Sequence, residues 1–121
     1  MELKLGRYEH YKGNYYEALG VGRIGRSIGT DGLFGVANFS EEATKEIYLF
    51  RRNGSFILEG DLPSGVEFCI YKQLYDSPDG KHKIGDLWIR PLEMFLQTVS
   101  VDGKEVQRFK YLGNGNEQGT G

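Results

Sequence analysis

The side chains of this chain that could do chemistry fall into two blocks. Near the start runs Arg7-Tyr8-Glu9-His10-Tyr11-Lys12, and in the last third runs Leu87-Trp88-Ile89-Arg90-Pro91, which holds the single tryptophan. Arginine, lysine and histidine bring charge and hydrogen-bond donors to an anionic group. Tyrosine and tryptophan bring flat apolar area with a polar tip. Tyr8, Tyr11, Tyr15, Tyr16, Tyr71, Tyr75 and Trp88 are too many amphipathic rings for so small a core to bury completely, so some should line a surface. We take Tyr8, His10, Lys12, Tyr71, Trp88 and Arg90 as the candidate site, for a small anionic or peptide-like ligand.

Catalysis has little to stand on. An enzyme needs an activated nucleophile, an acid-base pair or a metal. His10 is the one plausible base, and on a strand beside Tyr8, Tyr11 and Lys12 it reads as a half-buried packing residue. No carboxylate pair is set by motif spacing, and H-E-x-x-H, C-x-x-C and the P-loop pattern are all missing. Residues 22–31 (Gly22-Arg23-Ile24-Gly25-Arg26-Ser27-Ile28-Gly29-Thr30-Asp31) are glycine-dense and basic, but do not stand in the strand-to-helix context that either phosphate-binding glycine motif requires, and read as a mobile surface loop. Cys69 is the only cysteine and sits among Phe68 and Ile70, which makes it a small buried hydrophobe. One cysteine and two histidines cannot build a structural zinc site. We expect no cofactor and no metal.

The bulk numbers bound the rest. At 121 residues the chain is one domain, able to bury about 65% of its unfolded surface without a disulfide. A net charge of -2 disfavours a broadly basic nucleic-acid surface, although Arg7, Lys12, Arg23 and Arg26 make the first quarter locally basic. No apolar run nears the roughly 20 residues of a membrane helix, and no signal-peptide core is present near Met1, so a cytoplasmic protein without a membrane partner is expected.

The elements that must position the two blocks are mostly strands, as 18 glycines, eight tyrosines and seven phenylalanines imply. The first block forms one arm of a hairpin that turns at Lys12-Gly13-Asn14 and returns through Tyr15 to Val21. Tyr8, His10 and Lys12 share one face of it. A short strand at residues 33–37 precedes Ser40-Glu41-Glu42, an N-cap serine followed by acids that signals a helix of about two turns. The clearest local pattern is Ile47 to Arg52, Asn53-Gly54, then Ser55 to Glu59: a two-residue hairpin with Phe50 opposite Ile57 and Leu49 opposite Leu58. Residues 66–75 read as a long strand with Val66, Phe68, Ile70, Lys72 and Leu74 toward the core. His82, between two lysines in a polar loop, reads as solvated. Pro91 ends the tryptophan strand and starts a helical turn. Asp102-Gly103 marks a last hairpin, and residues 113–121 read as a disordered tail.

Several of these stretches resemble a family of small bacterial domains, domain of unknown function 1653. They are residues 6–21 with His10-Tyr11-Lys12-Gly13, then Tyr71-Lys72-Gln73-Leu74-Tyr75, then Trp88-Ile89-Arg90-Pro91-Leu92-Glu93-Met94-Phe95, and Val101-Asp102-Gly103-Lys104 with Val106 and Arg108-Phe109. The resemblance implies a mainly β fold: a small, partly open barrel similar to the SH3 type, with one or two short helical turns. Residues 1–112 would form that single domain. The family's short histidine-bearing connector is replaced here by Gly22-Arg23-Ile24-Gly25-Arg26-Ser27, and residues 28–65 with the Asn53-Gly54 hairpin look like an insertion. The expected function is a non-enzymatic binding module. A nucleic-acid-binding barrel and a protein-interaction domain acting through the inserted hairpin stand as alternatives.

Overall fold

The computed structural model describes residues 2–113. Turn chemistry sets the hairpins. Asn53 (φ 49°) and Gly54 (φ 84°) both adopt positive φ, as do Asp102 (φ 52°) and Gly103 (φ 78°), which matches two-residue turns to the right-handed twist of their strands. The elements are β1 (Gly6–His10), β2 (Tyr15–Ile24), β3 (Gly32–Phe39), β4 (Glu42–Arg52), β5 (Ser55–Glu59), β6 (Phe68–Gln73), β7 (Leu87–Pro91), α1 (Leu92–Phe95), β8 (Thr98–Val101), β9 (Lys104–Gln107) and β10 (Phe109–Gly113). Phe50 pairs with Ile57 and Leu49 with Leu58, the register read from the turn.

Six strands close a ring in the order β2-β5-β4-β3-β7-β6, and β6 returns to β2. The barrel is therefore closed rather than partly open. Residues 28–65 supply three of its six strands, β3, β4 and β5. Strand β2 makes closure possible by changing neighbours along its length: Tyr16 to Gly22 pairs with β6, and Gly22 to Ile24 runs parallel to Phe56–Leu58 of β5. At the change-over a Cβ on Gly22 would lie 2.5 Å from Leu58 Cδ1 and 2.7 Å from the Phe56 carbonyl, so only glycine lets the backbones meet. Strands β1 and β10 extend the sheet beyond β2, and β8–β9 stands as a separate hairpin.

Side chains alternate across β6, and both of its faces are buried. Phe68 and Ile70 join Ala37, Ile47, Leu49, Phe56, Leu58 and Ile89 in the barrel core. Cys69 and Tyr71 join Tyr8, Ala18, Leu92, Phe95 and Phe109 in a second core outside the barrel, capped by α1. The one-faced reading of residues 66–75 is corrected accordingly: Lys72 is only half-buried, while Cys69, Tyr71 and Gln73 on the other face are buried. The helical turn after Pro91 is present, with Leu92 and Phe95 turned into the second core. No helix starts at Ser40; Ser40 and Glu41 make the β3–β4 turn, because pairing with β3 outweighs a two-turn helix without support of its own. Residues 22–31 are tied down rather than loose. Gly22 to Ile24 are strand, the Ser27 amide donates to the Glu59 carboxylate, and Asp31 is bridged by Arg52 at 2.6 Å. Gly113 ends β10 opposite Arg7, and the rest of the expected tail lies outside the described residues. No helix among the described residues is long and apolar enough to cross a membrane.

Candidate ligand-binding site

The pairing of β6 with β7 sets Tyr71 opposite Trp88 and Cys69 opposite Arg90. Directly opposed residues share a face, so Tyr71, Trp88 and Arg90 emerge together on the outside of the barrel. On the other flank β2 pairs Tyr16 with Gln73, and β1 pairs Tyr8 with Tyr16. The rim of the second core is thus a continuous row of polar-tipped rings.

Arg90 is held by neutral groups. Its Nε donates to the Tyr71 hydroxyl at 3.3 Å, and its guanidinium lies 5.5 Å from the centroid of Phe109. Phe109 in turn stacks on Phe95 at 4.1 Å. Among the described residues no carboxylate forms a salt bridge with Arg90. The buried Gln73 is fully engaged: Trp88 Nε1 donates to its Oε1 at 3.0 Å, and its Nε2 donates to the Tyr75 carbonyl at 2.8 Å. The Tyr16 and Tyr75 hydroxyls share a hydrogen bond of 2.7 Å. These groups wall a recess of about 290 Å³, with Ser40, Ser77 and His82 completing it. The His82 ring packs 4.7 Å from Trp88, so it is not the solvated residue its lysine neighbours implied. Burial pushes the Tyr16 and Tyr71 hydroxyls upward, so both stay protonated and can act as donors at neutral pH.

His10 sits one step away. Its ring is 4.9 Å from Phe109 and 6.3 Å from Tyr16, and it lines a neighbouring groove of about 310 Å³ between β1 and the β8–β9 hairpin. Its Nδ1 accepts the Lys12 amide at 3.2 Å, which leaves the proton of the neutral ring on Nε2. Burial first, then the positive charges of Arg90, Lys12 and Arg108, bring its pKa down to about 4.

Of the six residues expected from sequence, Tyr71, Trp88 and Arg90 share the recess, and His10 lines the separate groove beside β8–β9. Lys12 is exposed, its Nζ 5.8 Å from the centroid of the Tyr11 ring. Tyr8 lies buried in the second core, its ring 5.1 Å from Phe95 and its hydroxyl donating to the Lys4 carbonyl at 2.7 Å. Burial raises that hydroxyl to about 12. Sequence reasoning left out Tyr16, Gln73, Tyr75 and His82. Tyr16 and Tyr75 stood in the pool of surplus rings, but nothing local marks them as neighbours 59 positions apart. Cys69 is buried as expected, and burial pushes its thiol far upward, away from reactivity. Among the described residues no group of three or more His, Cys, Asp or Glu side chains could hold a metal.

Fold and rim together define a closed six-stranded barrel with a second, aromatic core on its outer face. Residues 63–111, from the approach to β6 through most of β10, match the model of a family described as a protein of unknown function (DUF1653), and this match supports membership of that family. The match includes Tyr71, Trp88 and Arg90, whereas Tyr8, His10 and Lys12 lie before it. No curated protein and no solved structure matches the chain.

Proposed function

We propose that this protein is a non-enzymatic binding module whose recess beside Arg90 receives a small ligand through an anionic group. The supporting observation is the guanidinium itself: it is fixed by Tyr71 and Phe109, reaches the recess, and has no carboxylate partner among the described residues. A fold needing that arginine only for stability would be expected to pair it. The rings of Tyr75, Trp88 and His82 add flat walls for the rest of the ligand, which favours a ring or a peptide-like unit. The test is a titration of isotope-labelled protein with small carboxylates, phosphate compounds and short peptides, following the Trp88 indole and Arg90 Nε signals. Shifts clustering on these two and on Tyr75 are expected; binding that leaves them unmoved, or no binding at all, would remove the reading.

A second reading rests on a different face. Leu33, Val36 and Tyr48 are 64%, 41% and 50% exposed, and Val36 and Tyr48 are directly paired on the outside of β3–β4. Such an apolar stripe favours a protein partner bound through residues 28–65. Tyr48→Lys would then abolish partner capture without disturbing the Arg90 recess.

A further inference from the structure

The recess beside Arg90 offers free donors at one end and ring surface at the other. At the first end the Ser40 amide donates to the Ile89 carbonyl at 3.0 Å, which seats Ser40 next to Arg90. Arg90 engages only its Nε, on the Tyr71 hydroxyl. Its two Nη groups have no acceptor among the described residues, and neither is sealed from solvent. The Ser40 hydroxyl has only a 3.5 Å contact to Glu41 Oε1.

Toward Trp88 the polar atoms are bonded to one another. Trp88 Nε1 donates to Gln73, whose own amide goes to the Tyr75 carbonyl. The Tyr16 and Tyr75 hydroxyls share one hydrogen bond. Ser77 Oγ accepts the His82 amide at 3.0 Å and donates to Asp79 at 2.6 Å. What remains is ring surface: Trp88 with the His82 ring 4.7 Å away, and Tyr16 and Tyr75 set at 90° to each other. This end is also backed by acids. Asp79 stands behind Ser77, and Asp86 Oδ2 lies 3.6 Å from His82 Nδ1. Among the residues lining the recess, Arg90 is the only lysine or arginine.

One permanent cation matches one negative charge. A dianion would leave its second charge unpaired in a half-enclosed site, facing the two aspartates. The paired Nη groups form an end-on fork for the two oxygens of a carboxylate. A sugar would strand its hydroxyls against a wall whose polar atoms are already bonded. A recess of about 290 Å³ lies at the small end of ligand sites, which suits one ring system rather than a peptide. We infer that the ligand is an aromatic monocarboxylate, its carboxylate on the Arg90 Nη fork beside Ser40 and its flat ring against Trp88. This rests on the reading of the recess as an anion receiver and names the class of ligand received.

The experiment titrates benzoate, phenyl phosphate, cyclohexanecarboxylate and a short peptide with a free C-terminal carboxylate into the full chain at pH 7, following the Trp88 indole and Arg90 Nε signals. Phenyl phosphate keeps the ring and changes the charge; cyclohexanecarboxylate keeps the charge and removes the flat face. Benzoate is expected to bind about 5-fold or more tighter than each of the other three. Arg90→Lys keeps the charge but not the fork, and should weaken benzoate about 10-fold with the thermal midpoint nearly unchanged. Phenyl phosphate binding as tightly as benzoate overturns the monocarboxylate, and cyclohexanecarboxylate doing so overturns the aromatic ring. A peptide that binds tighter than benzoate overturns the small-molecule ligand. Arg90→Lys binding benzoate as well as the unmodified protein overturns the fork. In all four cases the anion reading stands. If none of the four compounds moves the Arg90 signal in the unmodified protein, the inference and the anion reading fall together.

Discussion

Arg90 and Tyr71 are joined side chain to side chain across β7 and β6, the guanidinium Nε donating to the phenol oxygen at 3.3 Å. Tyr71 is 3% exposed, so its ring is fixed by packing, and its hydroxyl is the anchor that aims the arginine. A cation held by neutral groups contributes little to folding, because its desolvation is not offset by an opposite charge.

Arg90→Met is therefore expected to change unfolding stability by less than about 1 kcal/mol, or to raise it slightly. The same change should remove anion binding. Urea unfolding and ligand titration on one variant check both halves, and a loss of several kcal/mol would show that the arginine is structural.

Gln73 behaves in the opposite way. It is 1% exposed and satisfies both Trp88 Nε1 and the Tyr75 carbonyl. Gln73→Leu keeps the volume but strands both partners, and the expected cost is about 2–3 kcal/mol. The indole emission should shift as Trp88 loses its acceptor, read by fluorescence together with the denaturation midpoint.

His10 predicts a pH dependence. Its folded pKa of about 4 lies below the ordinary 6.5, so between these values the unfolded chain binds the proton and the native chain does not. Stability is therefore complete above pH 6.5 and falls as the pH drops toward 4, below which this contribution is flat. The full shift corresponds to about 3 kcal/mol; partial solvent access to the ring reduces the expected loss to about 1–2 kcal/mol. Denaturation midpoints from pH 7.5 to 4 should show this slope, and His10→Phe should flatten it.

Gly22 is the closing point of the barrel. A methyl group there meets Leu58 Cδ1 at 2.5 Å and the Phe56 carbonyl at 2.7 Å. Because one neighbour is backbone, it cannot simply rotate away, and Gly22→Ala is expected to cost about 1–3 kcal/mol. Gly29→Ala, with open space around its Cβ, is the matched control in thermal unfolding.

What was legible in the sequence was local. Asn53-Gly54 and Asp102-Gly103 announce their hairpins because positive φ at two successive positions is a property of those residues wherever they stand. Pro91 announces the end of β7 and the turn of helix for the same kind of reason: a ring that sets φ and removes a donor. The sequence also singled out Tyr71, Trp88 and Arg90, but that they share a face follows from the β6–β7 register. Where the local signal was weak, pairing decided. Ser40-Glu41-Glu42 favours a helix start by itself, but β3 and β4 needed a turn there. Tyr8 shares its face of β1 with His10, yet Tyr8 packs in the second core with Phe95 of α1 and His10 is not part of that core. The site depends on contacts between residues far apart in the chain: Tyr16 with Tyr75, Gln73 with Trp88, Arg90 with Phe109. Sequence determines which side chains can turn, cap or charge a segment. Only the closed ring decided which of them stand together, because closure depends on strand neighbours that no short stretch of chain encodes.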